Sequence, residues 1–227
     1  MFELINRENA IFNILQELRD ANLDFIVIGG YAVSAYKHRF SIDADIVIKK
    51  EDKAKFESVL LKNKFAKTIV KKLDHIYSKE FIRYEIKDKF PVSIDLLIDG
   101  AGSRTTNASF SFEQLKKHSE TKKIIGTEKE VNVVAPKREV LITLKLHSGR
   151  LTDFRDIAAL TKNLDFGLIN SIIWIGKKDI VKDNIKKLLS LIDDKGFIDS
   201  FKGVFVEKKY DIDIEEIKKF KQLLDYR

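Results

Sequence analysis

Apolar residues at Ile11, Ile14, Leu15 and Leu18 recur at the spacing of one helical face, which predicts an amphipathic helix over residues 7–21. The period then changes. Residues 25–28 form an unbroken apolar run that ends in Gly29-Gly30, and residues 31–37 predict a short helix. Residues 42–48 alternate as a strand, with Ile42, Ala44, Ile46 and Ile48 on one side and Asp43 and Asp45 on the other. Residues 52–62 return to a helical pattern through Phe56, Val59 and Leu60. Shorter runs at 65–70, 75–77 and 81–86 predict a lysine-rich meander or hairpin. Pro91 then opens a strand over residues 92–98, in which Val92, Ile94, Leu96 and Ile98 share one face and Asp95 takes the other.

The stretch 99–109 is small and polar and reads as a flexible loop, with Arg104 as its one obvious phosphate-binding side chain. A plain solvated connection explains it equally well. Residues 112–117 predict a short helix, and 123–125 with 130–134 predict two strands about a turn at Gly126. Pro136 suits the first position of a helix carrying Val140, Leu141 and Leu144. Lys145 borders that stripe, where it would either reach solvent or meet an anion in a pocket. Ser148-Gly149 interrupts the pattern, and Thr152 would cap a further helix with Phe154, Ile157, Ala158 and Thr161 along one side. Asp153 and Asp156 fall near its start, where the helix dipole alone would explain them. Helical patterns follow at 168–175, 179–192 and 212–224. The expected fold is α+β: a small mixed β-sheet with helices packed on it, residues 1–135, followed by a helical C-terminal region, residues 136–227.

The paired aspartates change this picture from architecture to chemistry. Two adjacent carboxylates repel, and each is costly near a core without a partner. Hard oxygen ligands of this kind suit magnesium or manganese. If strands 42–48 and 92–98 are neighbours, Asp95 would join Asp43 and Asp45 in a three-carboxylate cluster. Gly29 and Gly30 leave no side chain between the backbone and a ligand, and the helix after them would turn its positive end toward phosphate. Arg39 would add a planar fork suited to phosphate oxygens.

Composition narrows the classes. The chain has no cysteine, so disulfides and thiolate metal sites are excluded, and its four histidines show no zinc-ligand spacing. No stretch resembles a targeting signal or a membrane span, so a cytoplasmic protein without membrane contact is expected. The net charge of +7 is compatible with an anionic partner such as nucleotide or RNA, and equally with lysine-rich solvated faces.

Together these residues resemble the nucleotidyltransferase superfamily typified by DNA polymerase beta, whose compact members include antibiotic nucleotidyltransferases and AbiEii-type toxins. The family pattern is a hydrophobic strand, Gly-Gly or Gly-Ser, a helix, Asp-x-Asp on the next strand and a third Asp on a later one. Gly29-Gly30, Asp43-Ala44-Asp45 and Asp95 match it. Arg39, Ser41, Asp43 and Asp45 also match the Arg-x-Ser/Thr-x-Asp-x-Asp form of compact members, and Lys145 with residues 150–156 resembles a later Lys followed by an Arg- and Asp-rich segment. The helical tail matches nothing in the pattern.

The resemblance implies a polymerase beta-like core that moves a nucleoside monophosphate from an NTP to an acceptor hydroxyl and releases pyrophosphate. Asp43, Asp45 and Asp95 would hold Mg2+ or Mn2+, and Asp95 would help deprotonate the acceptor. Gly29, Gly30, Ser34, Arg39, Ser41 and Lys145 would contact the nucleotide, ATP being one candidate. The acceptor would be RNA, tRNA in particular, as in a toxin held by a regulatory partner protein. A protein hydroxyl or a small antibiotic-like molecule is the other acceptor class. An inactive nucleotide- or RNA-binding module is the competing reading.

Overall fold

The N-terminal periodicity becomes α1 (Phe2–Asp20), whose Ile11, Phe12, Ile14, Leu15 and Leu18 are buried. The computed structural model describes residues 2–87, 91–203, 205 and 212–225, without side chains at 202–203. Two compact units divide the chain: Met1–Gly102 with Ser109–Pro136, and Ser103–Ala108 with Lys137–Arg227.

The first unit is built on a five-stranded mixed sheet. After α1 come β1 (Phe25–Ile28), α2 (Gly29–Ser34), β2 (Asp43–Ile48), α3 (Lys53–Lys62), β3 (Ala66–Lys72), β4 (Glu80–Ile86) and β5 (Val92–Ile98). The strand order is β1-β2-β5-β4-β3. β2 and β5 run parallel, and the other neighbours are antiparallel. Register puts Ala44, Ile46 and Ile48 beside Ile94, Leu96 and Ile98, and β4 adds Ile82 and Tyr84 to the same face. All eight are buried. Helices cover this face: Phe25 meets Phe56 of α3 edge-on at 6.0 Å, and the Tyr84 hydroxyl donates to Glu57 of α3 at 2.5 Å. α1 packs against β5 and α3.

Several details depart from the sequence pattern. Ile42 precedes the first register pair and is 53% exposed, with only its carbonyl tied to β5 by the Ser93 N–H at 3.2 Å. Tyr31 donates to the Ser41 carbonyl at 2.8 Å, which ties the chain to α2 just before the strand begins. Residues 75–77 are a bend, not a strand, because Leu73 N–H bonds to the Lys79 carbonyl at 2.8 Å and closes the β3–β4 connection. The 31–37 helix starts earlier, at Gly29.

The stretch 99–109 is a hairpin, β6 (Gly100–Ser103) with β7 (Ala108–Ser111), and not a flexible loop. α4 (Phe112–Lys117) follows, opened by a capping box between Ser111 and Gln114. The hairpin of β8 (Ser119–Ile125) and β9 (Glu130–Pro136) completes the unit. Pro136 therefore ends a strand instead of opening a helix, where its missing N–H is tolerated at the close of the ladder.

The second unit is helical: α5 (Arg138–Ser148), α6 (Leu151–Leu160), α7 (Phe166–Ile173), α8 (Lys178–Leu191), α9 (Lys195–Asp199) and α10 (Ile214–Lys218), the last continued by a 3-10 turn at Lys219–Leu223. α5 packs against α6, α7 and α8. Its buried residues include Val140, Leu141, Ile142 and Leu146. Gly149 ends it in the left-handed conformation, at φ 68°. Arg150, not Thr152, caps α6, and Asp153 accepts from its backbone N–H at 3.2 Å.

The tip of the β6–β7 hairpin belongs to this unit. Ser103 donates to the His147 carbonyl at 2.7 Å, and Thr106 Oγ1 lies 2.9 Å from His147 Nδ1. Burial pushes the His147 imidazole down to about 4. Between that value and the usual 6.5 the unfolded chain binds the extra proton, so stability falls as pH drops through this window. The expected loss by pH 4 is up to about 3 kcal/mol, and His147→Gln should flatten this slope in urea titrations run from pH 7 to pH 4.

Candidate active site

β2 places two carboxylates and β5 one on the sheet face opposite α1 and α3. Asp45 and Asp95 are register partners on neighbouring parallel strands, and Asp43 lies two residues before Asp45 on the same face. Asp95 is only 2% exposed. Burial pushes its carboxyl above the usual range, with Asp43 adding to the effect, while Arg83 pulls the other way.

Arg83 was not singled out from the sequence. It is the register partner of Asp95 on β4, so both side chains rise from the same face. Its Nε donates to Asp95 Oδ1 at 2.7 Å and its Nη2 to Oδ2 at 2.6 Å. The same Nη2 lies 3.6 Å from Asp43 Oδ2, and Nη1 lies 4.0 Å from Glu85. The Asp95 hydrogen bonds hold the guanidinium protonated more firmly than usual. The signal was present: Ile82 and Tyr84 alternate with Arg83 and Glu85, so a strand over 81–86 already puts both charges on one side.

The glycines meet these side chains at close quarters. Gly29 has φ 67°, and a Cβ there would lie 2.0 Å from Asp45 Oδ2. A Cβ on Gly30 would lie 2.9 Å from Ser41 Oγ and 3.4 Å from Arg39 Cζ. Both positions thus serve the approach of β2 and its leading loop, whatever else they bind. Ser41 Oγ donates to Asp43 Oδ1 at 2.9 Å. The Ser34 hydroxyl is buried and turned to the local backbone, 2.8 Å from the Arg39 carbonyl and 3.2 Å from that of Gly30.

In the helical unit, Lys145 of α5 is buried and held by two carboxylates of α6. Its Nζ lies 2.6 Å from Asp156 Oδ2 and 3.2 Å from Asp153 Oδ1. Burial opposes ionisation of Asp153, but the Arg150 hydrogen bond and the Lys145 charge outweigh it and hold the carboxyl below its usual range. The two aspartates are therefore counter-ions to a buried lysine, and not mere dipole partners at a helix start. Arg104 is exposed at the hairpin tip.

Among the described residues, no three carboxylate or imidazole groups converge on one metal position as they stand. The donor set nevertheless fits a hard divalent cation in kind, being three aspartates on one face. A cation is already present among them, since the Arg83 guanidinium spans Asp95 and Asp43.

No protein-family model matches the chain, and no curated protein sequence matches it significantly. The fold is that of nucleotidyltransferases. A candidate nucleotidyltransferase from Helicobacter pylori superposes with a TM-score of 0.50 at 18% identity, over 97% of this chain and 94% of that one. The antibiotic-resistance factor ANT(2'')-Ia superposes with a TM-score of 0.51 at 15% identity, over 73% of this chain and 88% of that one. The lincosamide antibiotic adenylyltransferase LnuA reaches a TM-score of 0.47 at 15% identity, over 69% of this chain and 98% of that one.

Proposed function

We propose that this chain is a metal-dependent nucleotidyltransferase that moves a nucleoside monophosphate from an NTP to an acceptor hydroxyl. The observation that carries the reading is the placement of Asp43, Asp45 and Asp95 on one face of two neighbouring parallel strands, beside Gly29-Gly30. The fold supports it. Asp43, Asp45 and Asp95 would hold Mg2+ or Mn2+, which when bound supplies positive charge to the triphosphate. The acceptor oxygen bonds to the α-phosphorus as the bond to pyrophosphate breaks, and the acceptor proton passes to Asp95. Arg39, close to Gly30, would meet the phosphates, and Ser41 would orient Asp43.

For the acceptor we favour RNA, tRNA in particular. The chain carries a net charge of +7, and β3 exposes Lys67, Lys71 and Lys72 along the sheet edge. A basic edge also deters strand pairing between copies. The test incubates the protein with each α-labelled NTP, Mg2+ or Mn2+, and in separate arms cellular RNA, cellular protein and an aminoglycoside. Label on RNA is the expected result and would support the RNA acceptor of the toxin-like reading. Label only on protein or on the aminoglycoside would overturn the RNA acceptor, and no transfer in any arm would overturn the enzyme reading.

A further inference from the structure

We propose that Arg83 sets the cation affinity of the carboxylate face, and that a divalent ion enters only in exchange for its guanidinium. The inference rests on the metal-dependent reading above. Three aspartates would carry three negative charges on one sheet face, and burial of Asp95 makes an uncompensated charge there costly. Arg83 supplies the compensation through two short bonds to Asp95 and a longer approach to Asp43. A divalent ion ligated by Asp95 and Asp43 needs the same carboxylate oxygens. The two cations are therefore competitors.

The exchange has a place to go. The Arg83 side chain is 28% exposed while that of Asp95 is 3% exposed, so the guanidinium can turn outward but the carboxylate cannot follow. Glu85, on the same face of β4, already lies 4.0 Å from Nη1. Arg83 thus leaves one carboxylate for another and is never stranded without a counter-ion. Its planar fork fits Asp95 in a way a lysine ammonium would not reproduce.

The test uses the full chain and two metals alone. Mn2+ affinity is measured by electron paramagnetic resonance for the native protein and for Arg83→Gln. In parallel, the Arg83 Nε–H signal, assigned by its loss in Arg83→Lys, is followed by NMR during a Mg2+ titration. If Arg83 occupies the carboxylates in most molecules, Arg83→Gln should bind Mn2+ about tenfold more tightly or better. The Arg83 signal should shift in step with Mg2+ occupancy. Equal Mn2+ affinity in both proteins, or an Arg83 signal unmoved while Mg2+ binds, overturns the exchange and leaves the metal reading standing. Absence of Mn2+ binding in both proteins overturns the exchange and the metal reading together.

Discussion

Asp45→Asn should lower nucleotidyl transfer by on the order of 10^3-fold, about 4 kcal/mol of transition-state stabilisation, while leaving the fold intact. The substitution keeps the shape that packs against Gly29 and removes only the charge. It also leaves the Arg83–Asp95 pair untouched, which makes Asp45 a cleaner probe than Asp95, whose replacement would strand a guanidinium. The check is the rate of label transfer to whichever acceptor takes label in the incubation described above, with circular dichroism confirming the fold. Activity within about tenfold of the native rate would remove Asp45 from the catalytic set.

The second large effect is on stability. Asp156→Ala should destabilise the helical unit by about 3–5 kcal/mol, because it leaves the Lys145 ammonium buried with one carboxylate that Arg150 also engages. Replacing both partners, as in Lys145→Met with Asp156→Leu, should recover most of that loss, since a well-packed apolar pair avoids the desolvation of two charges. Urea denaturation of the single and double variants measures both. A single variant within about 1 kcal/mol of the native protein would show that the pair is not a structural requirement.

The pair also shows where reading from sequence stops. A lysine beside an apolar stripe has two futures, solvent or a buried anion, and the helical period does not choose between them. The anions are on the next helix, reached only when α6 folds back on α5. Arg83 is a similar case. Its face was implied by the alternation in 81–86, but its partner lies on β5, and only the antiparallel pairing of β4 with β5 joins them. The 99–109 stretch failed for another reason. Small polar residues describe a surface connection by composition, whereas its strands arise from pairing with each other and its tip from bonds to His147.

What the sequence by itself determined is local: which residues share a face, which stretches are helical or extended in the regularly patterned segments, and that carboxylates stand opposite apolar side chains on two separate strands. Period-2 and period-3.6 spacing set these outcomes because they follow from the backbone geometry of a single element. The tertiary structure decided which faces meet. It put β2 beside β5, so that Asp45 aligns with Asp95, and β4 beside β5, so that a guanidinium lies among the carboxylates. Such pairings join residues far apart in the chain. They are chosen by burial of the whole apolar face under α1 and α3, a sum over many side chains that no short stretch of sequence contains.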